Sequence, residues 1–437
     1  MLWSRWYSFK SYIRSALWVV PVIALLFEII GSRLTEALGN RLVASGFIDQ
    51  SKGLLDLGIP GARALLETIV TISISFLVFT FGSLLVAIQV ASGQYTPRII
   101  ATTLLRDNAI RYSVGCFVFT LLFSLRTLNQ MDTTVHQFQT LISGVLGALS
   151  VVVFLYLIDY AARMMRPVSI VHRIGQDGLA VIRSVYPLPT SGPPSPARHW
   201  SVLPCRTVHH RGSPGIVLAV DLEVLAARMQ RMNGFVEFVP YVGDFIAEHE
   251  PLFRLYDEAC SLVDHSLQGA VAFGTERTLE QDPTFALRIL VDIALKALSP
   301  AINDPTTASL SIDQLHRMLF QAGSRHLQGS EITDKNGELR VVFRAPDWQD
   351  FVKLAFTEIR HCGAGSIQIA RRLRAMGEDL IRALPEHRHA ALLEELHLLD
   401  RTIEKHYVLP EDLALARVPD AQGLGSSRIA VSGFETK

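Results

Sequence analysis

The stretch that most constrains this chain runs from Ala62 to Arg98, where some thirty residues hold no Lys, Arg or Asp and end at Thr96-Pro97-Arg98. A helix of that length spans roughly 45 Å, more than the ~30 Å hydrocarbon core of a bilayer. The stretch reads as a membrane helix. Its apolar residues are interleaved with Thr71, Ser73, Ser75, Thr80, Gly82, Ser83, Ala87 and Gln89. Small and hydroxyl-bearing faces suit helix contacts or a wet path. Glu67, Thr71, Ser75, Thr80, Ser83 and Gln89 are therefore the candidates for pore lining or helix contact.

Three more apolar runs flank it, Ser15 to Ile30, Tyr112 to Leu128 and Leu141 to Ile158. The expected fold is a membrane α-helical unit over 15–166, with spans near 15–34, 62–92, 112–128 and 141–160, followed by a C-terminal cytoplasmic α+β domain. Residues 1–14 carry three basic residues and five aromatics but no cleavage pattern follows, so the first span is expected to stay, with Trp3, Trp6, Tyr7 and Tyr12 as interfacial anchors. The loop between spans three and four, NQMDTTVHQFQT, has no Lys or Arg, whereas Arg163, Arg166 and Arg173 follow span four. The positive-inside rule then puts both termini in the cytoplasm of a bacterial inner membrane protein. The connector from Gly31 to Gly61 opposes this mildly with Arg33, Arg41 and Lys52, accompanied by Glu36, Asp49 and Asp56.

An unpaired charge at the bilayer centre costs at least ~2.5 kcal/mol, which singles out Glu28, Glu67, Arg126 and Asp159. The first three are expected near the outer ends of their helices, either as an ion pair of Glu28 or Glu67 with Arg126, or as a charged ring around a pore mouth built from several copies. Asp159 is expected to pair with Arg163 one turn on. In the fourth span Ser143, Gly144, Gly147 and Ala148 form small-xxx-small pairs for close helix packing.

The remaining sequence is polar enough for a folded domain outside the bilayer: the 437 residues are 49% hydrophobic and 19% charged. With 41 basic and 41 acidic residues, composition makes no case for nucleic acid. Cys116, Cys205, Cys260 and Cys362 lie far apart, so reduced thiols are expected and no metal site is indicated. A Pro-rich linker is expected over 167–200, a small β-rich subdomain over 201–275, a mainly helical subdomain over 276–410 and a tail over 411–437. In the β-rich part Asp221 suits a helix N-cap, Phe235 to Val239 and Leu252 to Leu255 suit strands, and Gly243-Asp244 suits a turn resembling that of lipoyl-type β-barrel modules, without their lysine.

The second informative stretch is RTLEQDPTFALRILVDIALKALSPAINDPTTASLSIDQL, Arg277 to Leu315. Thr284 to Leu298 reads as a buried helix whose charges Arg288, Asp292 and Lys296 stack at i,i+4. Asp304 and Pro305 suit the N-cap and first position of the next helix; beside that capping role, Thr306 and Thr307 are candidates for an anion and Asp292, Asn303 and Asp304 for a cation. The segments SGQYTPR, FGTERTLEQD and LVDIALKALSPAINDPTTA, with IRHCG downstream, resemble the bacterial predicted membrane proteins of domain-of-unknown-function family 2254. The resemblance covers nearly the whole chain and implies a multipass bacterial membrane protein, with no catalytic residues to carry over.

Further on, Asn336-Gly337 suits a hairpin turn before a strand Leu339 to Phe343, then helices are expected over Trp348 to Arg360, Ala364 to Leu384 and Arg388 to Tyr407. No GxSxG, HExxH, Walker or dinucleotide motif occurs, so neither catalysis nor a cofactor is expected. The leading expectation is a homo-oligomeric ion channel or transport protein with a regulatory cytoplasmic domain. The alternatives are a membrane-anchored sensor or scaffold and, third, a membrane-bound enzyme.

Overall fold

The computed structural model describes residues 6–7, 13, 16–44, 57–94, 107–131, 135–164, 166–190, 192, 203–327 and 331–425. The chain forms two compact units: one spans residues 13–93 and 99–166, the other 1–12, 94–98 and 167–437. Arg98 and Arg106 of the expected basic turn, Trp3 and Tyr12, and most of the Pro-rich run lie outside the described residues.

The first unit is helical, with α1 (Val19–Ala44), α2 (Ile59–Gln94), α3 (Asn108–Asn129) and α4 (Gln137–Met164). Three of these, α2, α3 and α4, are long and apolar enough to cross a membrane. α1 is apolar only in part, since Glu28, Arg33, Glu36 and Arg41 lie along it. Asp107 caps α3 by accepting from the amides of Ala109 and Ile110, and Tyr160 of α4 donates to its other oxygen at 2.5 Å. Glycines set the packing: a Cβ on Gly115 would lie 2.9 Å from Val20, and one on Gly147 2.9 Å from Ile69. α2 leans on α4 by that contact and by the stacked rings of Phe76 and Phe154, 4.0 Å apart. At one end, Ala62, Leu66 and Met131 are buried together and Arg63 donates to the Met131 carbonyl at 3.3 Å.

The second unit is α+β. It opens with a helix, α5 (Pro167–Val185), where a linker was expected from 167; Gly175 and Gly178 let it press on Gln314 and Met318, and Ile170, Ile174 and Ile182 are buried. Then come β1 (Arg206–His209), β2 (Gly215–Val220), α6 (Leu222–Met232), β3 (Gly234–Phe238), β4 (Phe245–Ile246), β5 (Pro251–Asp257), α7 (Asp264–Gln268) and β6 (Val271–Gly274). The helices α8 (Pro283–Ala297) and α9 (Pro305–Gly323), the hairpin β7 (Glu331–Thr333) and β8 (Leu339–Phe343), and α10 (Trp348–Gly363), α11 (Ile367–Ala383), α12 (His389–His406) and α13 (Pro410–Ala416) complete it.

The strands make a five-stranded sheet, β1-β5-β3-β8-β7, and a three-stranded one, β4-β2-β6. β8 pairs in parallel with β3 from about a hundred residues away in the chain, so the boundary expected near residue 275 does not separate two sheets' worth of sequence. Tyr7, expected as an interfacial anchor, instead packs with Ile216 on Leu218, Ala219 and Ala272 of the three-stranded sheet. Cys205 and Cys260 lie side by side within disulfide reach, their Cα atoms 6.2 Å apart, where four separate thiols were expected; Cys116 and Cys362 have no such partner among the described residues.

Gly243 joins the β turn to the helical part. Its φ of +98° favours glycine, and a Cβ there would lie 2.5 Å from Oδ2 of Asp282, the N-cap of α8.

Candidate functional site: a buried polar layer in the helix bundle

The interior of the first unit is unusually polar for a set of apolar helices. Glu28 and Ser32 of α1, Ser73 and Thr80 of α2, Ser113, Thr120, Ser124 and Thr127 of α3, and Gln139, Thr140, Ser143 and Ser150 of α4 are all buried. On α3 the hydroxyls recur at 113, 120, 124 and 127, a spacing that keeps them on one face. That spacing, in the third span rather than the second, is the signal that the reading of the sequence passed over.

Four contacts fix relative heights. Gly115 faces Val20 and Ala24, Gly39 faces Phe138, and Gly147 faces Ile69. Ser150 donates to Thr120 at 3.0 Å. Counting about 1.5 Å of rise per residue from these contacts, Glu28, Ser73, Thr120 and Ser150 fall at nearly one height, with Ser124 about one turn away. Each of the four helices thus carries a buried polar side chain near its own midpoint. Glu28 lies midway along the exposed apolar face that runs from Trp18 to Leu38, not near the outer end where it was expected.

Within this layer Thr120 and Ser150 satisfy each other, while Glu28 Oε1, Ser73 Oγ and Ser124 Oγ are buried without a hydrogen-bond partner. Toward the α3–α4 turn the polar surface continues through Thr127, Ser143, Thr140 and Gln139, where Ser143 Oγ and Gln139 Oε1 are again unpartnered. In the opposite direction an aromatic cluster interrupts it before the buried hydroxyls of Ser113 and Thr80. Phe117 meets Phe76 with ring centres 5.4 Å apart, Phe76 stacks on Phe154, and Val114, Ile110, Leu84 and Leu157 close the core behind them. Two apolar crevices, about 150 and 280 Å³, flank Thr80, Leu84 and Ile110 beyond this plug.

The residues expected to line a path on the second span lie elsewhere. Glu67, Thr71, Ser75, Ser83 and Gln89 are exposed on α2, and Thr80 alone of that set is buried. Their hydroxyls are met by their own helix: Thr71 donates to the Glu67 carbonyl at 2.8 Å, Ser75 to Thr71 at 2.9 Å, Thr80 to Phe76 at 2.7 Å and Ser83 to Thr80 at 3.0 Å. Arg126 is half-buried in the last turn of α3, and no ion pair joins it to Glu28 or Glu67 among the described residues. Asp159 pairs with Arg163 one turn on, at the surface.

In the second unit, Arg288 of α8 donates to Asp292 at 2.7 Å and to both carboxylate oxygens of Glu358 on α10. The Glu358 pair is the main reason that the Arg288 guanidinium is raised and the Glu358 carboxyl lowered from their ordinary ranges. Lys296 is half-buried in the last turn of α8. Asp304 caps α9 through the Thr307 amide at 3.0 Å and hydroxyl at 2.5 Å, while Asn303, with φ +48°, and Thr306 are exposed. The motif thus builds a helix junction. No group of three His, Cys, Asp or Glu side chains able to hold a metal ion occurs among the described residues.

The family described as predicted membrane protein (DUF2254) matches residues 14–379. This chain belongs to that family. It is 24% identical over 429 residues to an uncharacterized protein of Mycobacterium tuberculosis and to one of Mycobacterium bovis, covering 93% of this chain and 79% of each relative. No solved structure matches.

Proposed function

We propose that this DUF2254 protein is a multipass protein of the bacterial inner membrane that passes an ion through its own helix bundle. The observation that carries the reading is the column of buried hydroxyls and amides from the α3–α4 turn to mid-bundle, stopped by Phe76, Phe117 and Phe154. A bundle that served only as an anchor has no use for such a column. Each hydroxyl or amide buried without a partner costs about 1–3 kcal/mol, and Ser73, Ser124, Ser143 and Gln139 all have one such atom. The aromatic plug acts as the gate, by keeping water from crossing the bundle.

Two observations support α1 as a fourth span. Its surface from Val22 to Leu38 exposes Leu25, Leu26, Phe27, Ile30 and Leu34, as a lipid-facing helix does. Tyr7, ahead of α1, packs on a sheet that follows α4 in the chain, which favours an even number of crossings. Arg163, Arg166 and Arg173 after α4 favour the cytoplasm for that side. Only residues 165 and 166 separate α4 from α5, which supports the C-terminal unit as regulator. In this reading the exposed polar residues Glu67, Thr71, Ser75 and Gln89 of α2 would meet a second copy, on a surface other than the path.

Flux from proteoliposomes tests the reading. Phe117→Ala should raise ion leak by removing part of the plug, and Ser143→Leu should block it, whereas Ser75→Leu should leave it unchanged. Loss of flux in Ser75→Leu with flux retained in Ser143→Leu would move the path to an axis between copies. No flux of any ion through either the parent protein or Phe117→Ala would leave the bundle as the anchor of a sensor or scaffold.

A further inference from the structure

We infer that the crevice between the first turns of α1 and α3 and the second half of α2 holds an anionic phospholipid of the surrounding leaflet, with its headgroup at Arg111 and one acyl chain along the crevice. The inference rests on the reading of α1 as a membrane span, and not on the ion path. The crevice has a volume of about 280 Å³, and Trp18, Val22, Thr80, Phe81, Leu84 and Arg111 are among its lining. Trp18, Val22 and Phe81 are about half exposed, so its rim lies on the apolar surface of the bundle. Thr80 donates its hydroxyl to the Phe76 carbonyl of its own helix, which leaves that wall apolar.

Charge and depth decide the class of occupant. Among the described residues Arg111 is the one charged group in the lining; it is 9% exposed and donates to the Ile13 carbonyl at 3.2 Å, which ties it to the chain ahead of α1. Asp107, one turn earlier, does not line the crevice: one of its oxygens caps α3 and the other accepts from Tyr160. Val114 lies one turn further along α3 than Ile110 and Arg111, and Val22 one turn beyond Trp18, so the cation and the indole stand toward the end of the bundle while apolar lining runs inward. A phospholipid has that order, with charge at the membrane surface and hydrocarbon below it. Indoles favour the headgroup level, and basic pockets between membrane helices take anionic headgroups. Inorganic phosphate would leave the apolar walls unfilled, and a zwitterionic lipid would bring a second cation to Arg111.

Fluorescence of the full-length protein in phosphatidylcholine liposomes tests the site, with brominated-chain phosphatidylglycerol or brominated-chain phosphatidylcholine added at rising mole fraction as a contact quencher of indoles. Subtracting the same titration of Trp18→Phe isolates Trp18 from the other four tryptophans. Brominated phosphatidylglycerol should half-quench Trp18 at a mole fraction roughly fivefold below that of brominated phosphatidylcholine, the preference that one basic residue gives near a membrane surface. Arg111→Gln should abolish the preference and Arg111→Lys should keep most of it. Val22→Phe puts bulk on the rim and leaves the charge, so it should lower the quenching reached at saturation. Equal half-quenching by the two lipids in the parent would overturn the proposal, because the occupant would then be ordinary boundary lipid; a preference that survives Arg111→Gln would overturn it too. If Arg111→Gln does not assemble, Val22→Phe decides, and an unchanged preference with unchanged saturation would place the lipid elsewhere. A Trp18 quenched by neither lipid would reject α1 as a span together with the site. Selective quenching in a protein that passes no ion would keep this site and reject the path.

Discussion

Ser150 of α4 donates its hydroxyl to Thr120 of α3 across 3.0 Å, with both side chains shut off from the surface. The bond links the two helices at about the height of the buried Ser73 and Glu28 on their own helices. Interhelical hydrogen bonds in membranes contribute about 0.6 kcal/mol on average. Ser150→Ala should therefore lower thermal stability in detergent only slightly and leave the fold intact. A loss of several kcal/mol would mean that this pair also orders the rest of the layer.

Gly147 governs how closely α2 approaches α4. An added Cβ would sit 2.9 Å from Ile69 Cγ1 and 3.2 Å from its Cδ1, closer than van der Waals contact. Gly147→Ala should cost about 1–3 kcal/mol through overpacking. Adding Ile69→Ala should recover part of that loss, because it removes the atoms that the new methyl meets. If the double variant is no more stable than Gly147→Ala, the helix pair has another determinant. The melting temperature of each variant in one detergent decides it.

Asp282 should make the C-terminal unit more stable when its charge is removed. The carboxyl is almost fully buried; one oxygen accepts from Thr284 at 2.6 Å and from the Phe285 amide at 3.0 Å, and Arg277 stands 3.9 Å from the other. Burial raises it from the usual 3.8, against the opposing pull of those hydrogen bonds and of Arg277. A folded value above the unfolded one means that the proton-linked stability is fully present below pH 3.8 and is lost as pH rises through the raised folded value. Asp282→Asn keeps an N-cap acceptor and never bears the charge. Its melting temperature should exceed that of the parent at pH 8, with the advantage shrinking toward pH 4. An equal deficit at both pH values would show that the charged form is held by a net favourable pair with Arg277.

His316 acts in the opposite pH range. Burial lowers it from 6.5, with Arg372 adding to the effect and Asp379 and Asp313 opposing it. In the unfolded chain the imidazole takes up its proton near pH 6.5 while in the folded state it resists, so stability is present above that pH and falls as the solution is acidified below it. His316→Gln should flatten the fall in melting temperature between pH 7 and 5. An unchanged slope would assign the acid sensitivity to other groups.

Local chemistry in the C-terminal unit was legible in the sequence. Asp304 followed by Pro305 starts α9, Asp221 caps α6, Gly337 with φ +81° turns the β7–β8 hairpin, and β8 has the expected bounds Leu339–Phe343. What was hidden depends on contacts across the chain. The parallel pairing of β8 with β3 and the union of Cys205 with Cys260 leave no local signature. For Glu28 the difficulty was length. The apolar run fades at Ile30, but the helix continues through Arg33, Glu36 and Arg41 to Ala44, which moves the glutamate from an end to the middle. The small and hydroxyl residues of α2 were visible in the sequence, but hydroxyls bonded to their own backbone look the same there as hydroxyls aimed into a bundle, so the buried set on α3 went unread.

The cysteine pair tests the orientation of the chain. Basic residues after α4 favour the cytoplasm for the C-terminal unit under the proposed orientation, a compartment where thiols are held reduced, yet Cys205 and Cys260 lie within bonding reach. With the cytoplasmic orientation, both cysteines should be alkylated when intact cells are quenched with a membrane-permeant maleimide, and the purified protein should close the bond on mild oxidation. Closing a loop of 55 residues stabilises by about 4 kcal/mol in the chain-entropy account, so oxidation should raise the melting temperature of the C-terminal unit and a reductant should reverse the gain. Cysteines already joined in quenched cells would point to an oxidising compartment. The positive-inside assignment would then be reversed, and the α3–α4 end of the polar column would open to the cytoplasm.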